Sequence, residues 1–135
     1  MKQHGLRGIG QSARAVLERL VGGLDDLGAN SKIDNTNGEF MPVCVERVEE
    51  TTHGSVFSVA HYYEQNGDLV ADPDVTLLRA ADGDFYPLSY QDARAYRRAV
   101  ELEPDGEVRA NPRQQADLAR FVDGWMSNVK SQQGL

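Results

Sequence analysis

Between Pro42 and Tyr90 the chain sets down four stretches of strand character, roughly Pro42 to Glu49, Ser55 to Glu64, Val75 to Ala80 and Phe85 to Tyr90. Three short glycine turns separate them, Thr52-His53-Gly54, Asn66-Gly67-Asp68 and Asp82-Gly83-Asp84. Connections this short join antiparallel neighbours, so the spacing predicts an antiparallel meander. Pro87 has no N–H to give a ladder, so its strand must be an edge or carry a bulge at that point.

Helical patterns flank this stretch. Val16, Leu17, Leu20, Val21, Leu24 and Leu27 recur at helical spacing behind Ser12, a candidate N-cap, and Gly28 and Asn30 supply a stop. Gly22 and Gly23 interrupt that pattern at a cost of roughly 1 kcal/mol each relative to alanine, which allows a bend. Near the other end Asn111 is placed as an N-cap, Pro112 as the first helical residue and Gln114 as the partner in a capping box. Leu118, Phe121, Val122, Trp125 and Val129 then form a stripe that reads as core packing. Residues 93–102 fit two patterns. Asp92 could cap a helix showing Tyr96 and Val100, while Tyr96, Arg98, Val100 and Leu102 alternate as a strand; a turn at Glu103 to Gly106 and a short strand at Glu107 to Ala110 favour the strand.

The expectation is an α+β domain, an antiparallel sheet of about five strands with an N-terminal and a C-terminal helix on one face. Residues 1–10, with Gly5, Gly8 and Gly10, read as a flexible tail, and 11–135 as a single domain. A chain of 135 residues buries a sufficient core without disulfides or a structural metal. Cys44 is the only cysteine, and its setting, Pro42 to Val45, reads as buried strand. No apolar stretch reaches the roughly 20 residues of a membrane span. The first residues lack the apolar core of a signal peptide, which points to the cytoplasm.

The net charge of −7 is unevenly spread: residues 1–33 carry +2, residues 34–93 carry −10 and residues 94–135 carry +1. A field of that sign disfavours nucleic acid on the acidic face, and favours cations, basic protein surfaces or simple solubility. Two motif readings fail on spacing. Gly5 to Gly10 has no strand before it and no Gly-Lys-Ser/Thr after it, so it is no phosphate loop. Asp34 to Glu39 opens like a calcium loop, but its twelfth position is Val45, where a bidentate glutamate is required.

The run from His61 to Asp74 is where strand gives way to an acidic loop. On a regular strand His61 shares a face with Phe57, Val59 and Tyr63, which places His61 and Tyr63, with Trp125, in the core. Glu64 falls on the opposite face, so a His61–Glu64 metal or acid–base pair would need a bulge. Glu64, Gln65, Asn66, Asp68, Asp72 and Asp74 form the candidate contact or cation surface, since a turn at Asn66-Gly67 could gather their oxygens. No set of residues in the chain makes a convincing catalytic, metal or cofactor motif.

His61 to Leu69, followed by Asp72-Pro73, Phe85 to Gln91, Asn111-Pro112-Arg113, Asp117-Leu118 and Trp125, resembles an uncharacterised domain family carried by bacterial plasmids, phages and integrative elements. The resemblance covers roughly residues 42–130 and leaves the N-terminal helix outside. It implies a compact cytoplasmic domain encoded on mobile DNA, with no assigned chemistry. Three functions compete on this footing. The first is a non-enzymatic accessory domain that binds a protein partner, another protein or a second copy of itself, through the acidic surface. The second is an acidic nucleic-acid mimic aimed at a host defence protein. The third is a metal-dependent hydrolase using Glu64, Asp68, Asp72 and Asp74.

Overall fold

The computed structural model of the protein describes the backbone of residues 1–135 and every side chain except that of Gln3. A 3-10 turn at Lys2–His4 precedes helix α1 (Gln11–Val21), and strands β1 (Asn30–Ile33), β2 (Val43–Thr51), β3 (Gly54–Gln65), β4 (Asp68–Ala80), β5 (Phe85–Gln91), β6 (Tyr96–Arg98), β7 (Val100–Leu102) and β8 (Val108–Ala110) lead to helix α2 (Pro112–Gln133). Strands β1 to β6 form one antiparallel sheet in chain order, and β7 and β8 form a separate antiparallel pair. The protein is an α+β fold with a terminal helix at each end, and its sheet has six strands where the sequence pointed to about five.

Alternation decides which side chains meet. Val43 and Val45 of β2, Phe57 and Val59 of β3, Val75 and Leu77 of β4 and Phe85 of β5 are buried against both helices. Helix α1 contributes Val16, Leu17, Leu20 and Val21, and α2 contributes Leu118, Val122, Trp125, Met126 and Val129. Phe121 departs from the expected stripe: it sits at the margin, 40% exposed. A second, smaller core lies on the other side of the sheet, where Val56, Leu78, Tyr86 and Leu88 meet Val100, Leu102 and Val108 of the β7–β8 hairpin. Fully burying a side chain of this size stabilises by about 1.5–3 kcal/mol, so both layers matter.

Three bulges re-aim the strands, at Arg47/Glu49, Ala60/Tyr62 and Thr76/Leu77. The last is the bulge Pro87 demanded: Thr76 faces Ser89 and Leu77 faces Pro87, leaving Leu88 as the extra residue of an interior strand. Gly54 marks a close approach, because a Cβ there would stand 2.1 Å from the Arg79 carbonyl oxygen of β4.

Three expectations need correction. Helix α1 starts at Gln11 with Gly10 as N-cap and ends at Val21 with Gly22 as C-cap; paired glycines end the helix, and Leu27 beyond them is 63% exposed. The stop at Asn30 is the start of β1, an edge strand paired with β2. Residues 96–102 are strand, the reading the sequence favoured, broken between β6 and β7 at Ala99, while 93–95 lie outside any strand. The expected tail, 1–10, is packed: Leu6 is buried in the second core and Ile9 in the first, while the Ile9 N–H donates to Phe85 O and the Gly10 N–H to Asp123 Oδ1 at 2.6 Å. Gly8 there serves contact, since a Cβ would collide with the Asp84 carboxylate. No helix among the described residues is long and apolar enough to cross a membrane.

Candidate interaction site

Strands β3 and β4 outrun their neighbours. Pairing of β2 with β3 stops at Cys44↔Ala60, and pairing of β5 with β4 stops at Asp74↔Gln91. The rungs Tyr62↔Ala71, Tyr63↔Val70, Glu64↔Leu69 and Gln65↔Asp68 therefore continue as a two-stranded arm. Its turn residues, Asn66 (φ 53) and Gly67 (φ 84), both have positive φ, as the primed turns of tight hairpins require. The segment read as an acidic loop, 68–74, is thus the first half of β4.

This geometry separates the acids. Directly paired residues share a face, so Glu64 stands beside Leu69, whereas Asp68 stands with Gln65 on the opposite face. Asp72, exposed, lies with Pro73 in the bulge opposite His61. Asp74 belongs to the sheet itself, half-buried, where the Ser58 hydroxyl donates to its Oδ1 at 2.6 Å and the Tyr62 hydroxyl reaches its Oδ2 at 3.5 Å. Burial and then the charge of Asp74 push the Tyr62 phenol above its ordinary pKa. Among the described residues no group of three or more His, Cys, Asp or Glu is arranged to hold a metal. Glu64, Gln65, Asn66, Asp68 and Asp72 are all exposed, and at the tip Leu69 is 74% exposed.

The foot of the arm is anchored by aromatic packing. His61 is 6% exposed; its Nδ1–H donates to Pro42 O at 3.0 Å, and its ring meets the edge of Trp125 at 5.4 Å. Trp125 stacks on Phe121 at 5.8 Å, and Phe121 meets Tyr90 edge-on at 5.5 Å. Tyr63 is half-buried.

That chain of rings ends at a hollow of about 320 Å³ between β6 and α2, whose lining includes Tyr90, Asp92, Arg97, Asp117, Leu118 and Phe121. Asp92 Oδ2 accepts from the Tyr90 hydroxyl at 2.9 Å, and its Oδ1 accepts the N–H groups of Arg94 and Ala95. The Arg94 N–H and the Tyr90 hydroxyl hold the Asp92 carboxyl below its usual range, while burial and the carboxylate of Asp92 push Tyr90 up, helped by the charge of Asp72. Periodicity placed Phe121 in the core and gave no hint of this hollow; the signal, Phe121 at the edge of the α2 stripe, has meaning only once β6 is in place.

A family model for a domain of unknown function, DUF6908, matches residues 12–135. The match takes in α1, which the sequence resemblance left out. No curated protein and no solved structure matches the chain. With every strand, helix α2 and all of α1 but its first residue inside the matched span, the chain belongs to the DUF6908 family.

Proposed function

We propose that the protein is a non-enzymatic binding domain that holds a basic protein partner through the β3–β4 arm, as an accessory function encoded on bacterial mobile DNA and acting in the cytoplasm. The observation that carries this reading is the arm itself, a two-stranded ribbon beyond both neighbours with exposed acids on both faces and an exposed leucine near its tip. A ribbon of that kind is marginally stable on its own, and its open edges are ready-made templates for another chain. Leu69 and Glu64 share one face of the arm and Asp68 stands on the other, so each face presents a carboxylate, and the −10 of residues 34–93 steers a basic surface toward the arm. The mobile-element origin rests on the resemblance described above.

The test is affinity capture with the wild type and with a Glu64→Lys/Asp68→Lys double variant. Both substitutions lie on exposed arm positions, so the fold is expected to be unchanged by circular dichroism. A protein held by the wild type, released by added salt and lost from the variant supports the reading. Equal recovery by both proteins overturns it, and light scattering of the wild type establishes whether the partner is a second copy.

A further inference from the structure

We propose that the basic surface held by the arm belongs to a second copy of this chain: the free edge of β4 in the arm pairs with the free edge of β6 in the other copy, and the reverse. The inference rests on the function proposed above and names the partner. Both edges carry main-chain groups with no strand beside them. In the β5–β6 ladder the Asp92 N–H donates to Ala95 O and the Ala99 N–H to Leu88 O, so by alternation Tyr90 and Arg97 bond each other, while Tyr96 and Arg98 turn their N–H and C=O away from β5. In the arm the two-residue turn closes on Gln65 and Asp68, so the same alternation aims the N–H and C=O of Leu69 and Ala71 away from β3. Because β4, β5 and β6 follow in that order, the two edges face the same side of the sheet. A copy rotated by half a turn about an axis normal to the sheet sets its β6 antiparallel to the arm, and its own arm antiparallel to β6 of the first, an isologous pair.

Charge selects this pairing. Residues 61–74 hold Glu64, Asp68, Asp72 and Asp74 with no lysine or arginine, whereas residues 94–98 hold Arg94, Arg97 and Arg98 with no acid. Asp92, just before them, is already engaged by the Tyr90 hydroxyl and by the N–H groups of Arg94 and Ala95. Arg98 is committed to Glu101 at 3.2 Å, but Arg94 and Arg97, both exposed, take part in no ion pair among the described residues. Pairing arm with arm would set the carboxylates against their own kind, which argues against the other symmetric use of the same edge. With Leu69 opposite Tyr96 the outward main-chain groups of the two strands meet, and Asp68 comes to face Arg97. Leu69 and Tyr96, 74% and 54% exposed in the single chain, then cover each other.

The test is the oligomeric state of the whole chain by sedimentation velocity, over a range of protein and salt concentrations. The wild type is expected to form dimers whose fraction falls as salt is raised. Asp68→Arg and Arg97→Asp, both at exposed positions, each set like charges face to face and are expected to weaken the dimer about tenfold. Mixed one to one, the two variants are expected to recover the wild-type dimer, because each arm then meets an edge of opposite charge; recovery of this kind also requires both variants to be folded. A wild type that is monomeric at every concentration, single variants as dimeric as the wild type, or no recovery on mixing overturns the pairing. The Glu64→Lys/Asp68→Lys variant separates the two proposals. If the wild type is monomeric yet captures a protein that this variant loses, the second copy fails as partner and the arm stands as a binding site. If the variant dimerises and captures protein as the wild type does, the arm as binding site fails, and the pairing with it.

Discussion

Gln115 is wholly buried, and its amide serves segments far from its own helix. The Arg7 N–H donates to Oε1 at 2.7 Å, and Nε2 donates to Arg7 O at 2.8 Å, so one side chain closes both backbone groups of a residue 108 positions earlier. Gln133 does the same at the other end of α2, where its Oε1 accepts the Asn35 N–H and its Nε2 donates to Met41 O. In sequence both glutamines read as solvated helix positions, since nothing local shows what they face. Gln115→Ala leaves the Arg7 backbone pair without its partners in a part-buried place, and is expected to cost about 1 kcal/mol in urea unfolding. Asp82 and Tyr86 carry a pH dependence. The Tyr86 hydroxyl donates to Asp82 Oδ2 at 2.6 Å; that bond and the Asp84 N–H hold the Asp82 carboxyl below its ordinary pKa, while burial and the same bond push Tyr86 well up. A depressed carboxyl gives stability that is present above its unfolded pKa near 4 and lost as pH falls through the folded value. A raised phenol gives stability that is present below about pH 10 and lost as pH climbs toward the folded value. Tyr86→Phe is therefore expected to flatten both limbs of a stability–pH curve, without abolishing the alkaline one because Tyr62 and Tyr90 are raised too. Urea midpoints across the pH range check this, and an unaltered acid limb would show that the Asp82 bond contributes nothing.

Among the elements, α2 is the one whose signals are all local. Asn111 Oδ1 accepts the Gln114 N–H at 3.1 Å, Pro112 opens the helix, and Gly134 at φ 69 closes it. Asn111→Ala is expected to cost about 1 kcal/mol, with fraying of the first turn visible in amide exchange. The arm is the opposite case. Its turn was legible, because Asn66-Gly67 is the residue pair that a tight hairpin prefers. Its second strand was not: Asp68, Asp72 and Pro73 are poor strand formers, and pairing with Tyr62 to Gln65 overrides that preference. The same pairing sends Glu64 and Asp68 to opposite faces, which no count of acids along a line reveals. Gly67→Ala is strained at φ 84 and is expected to loosen the arm, raising amide exchange at 62–71 while the urea midpoint of the domain barely moves.

At the scale of the molecule, the sheet is covered twice, by α1 and α2 on one face and by the β7–β8 hairpin with the first residues on the other. Leu6 is part of the second layer, and Leu6→Ala is expected to cost about 2 kcal/mol and to raise hydrogen exchange in residues 1–9 ahead of the main sheet. The α+β class, the antiparallel meander, the terminal helices and the break demanded by Pro87 were all determined by the sequence itself, because caps, turns and periodicity act between residues a few positions apart. What the tertiary structure decided was the docking of residues 1–10, the edge strand β1, the reach of β3 and β4 beyond their neighbours, and the hollow at Phe121. Each of these depends on registers and packing partners far away along the chain, and local propensity carries no information about how far one strand extends past another.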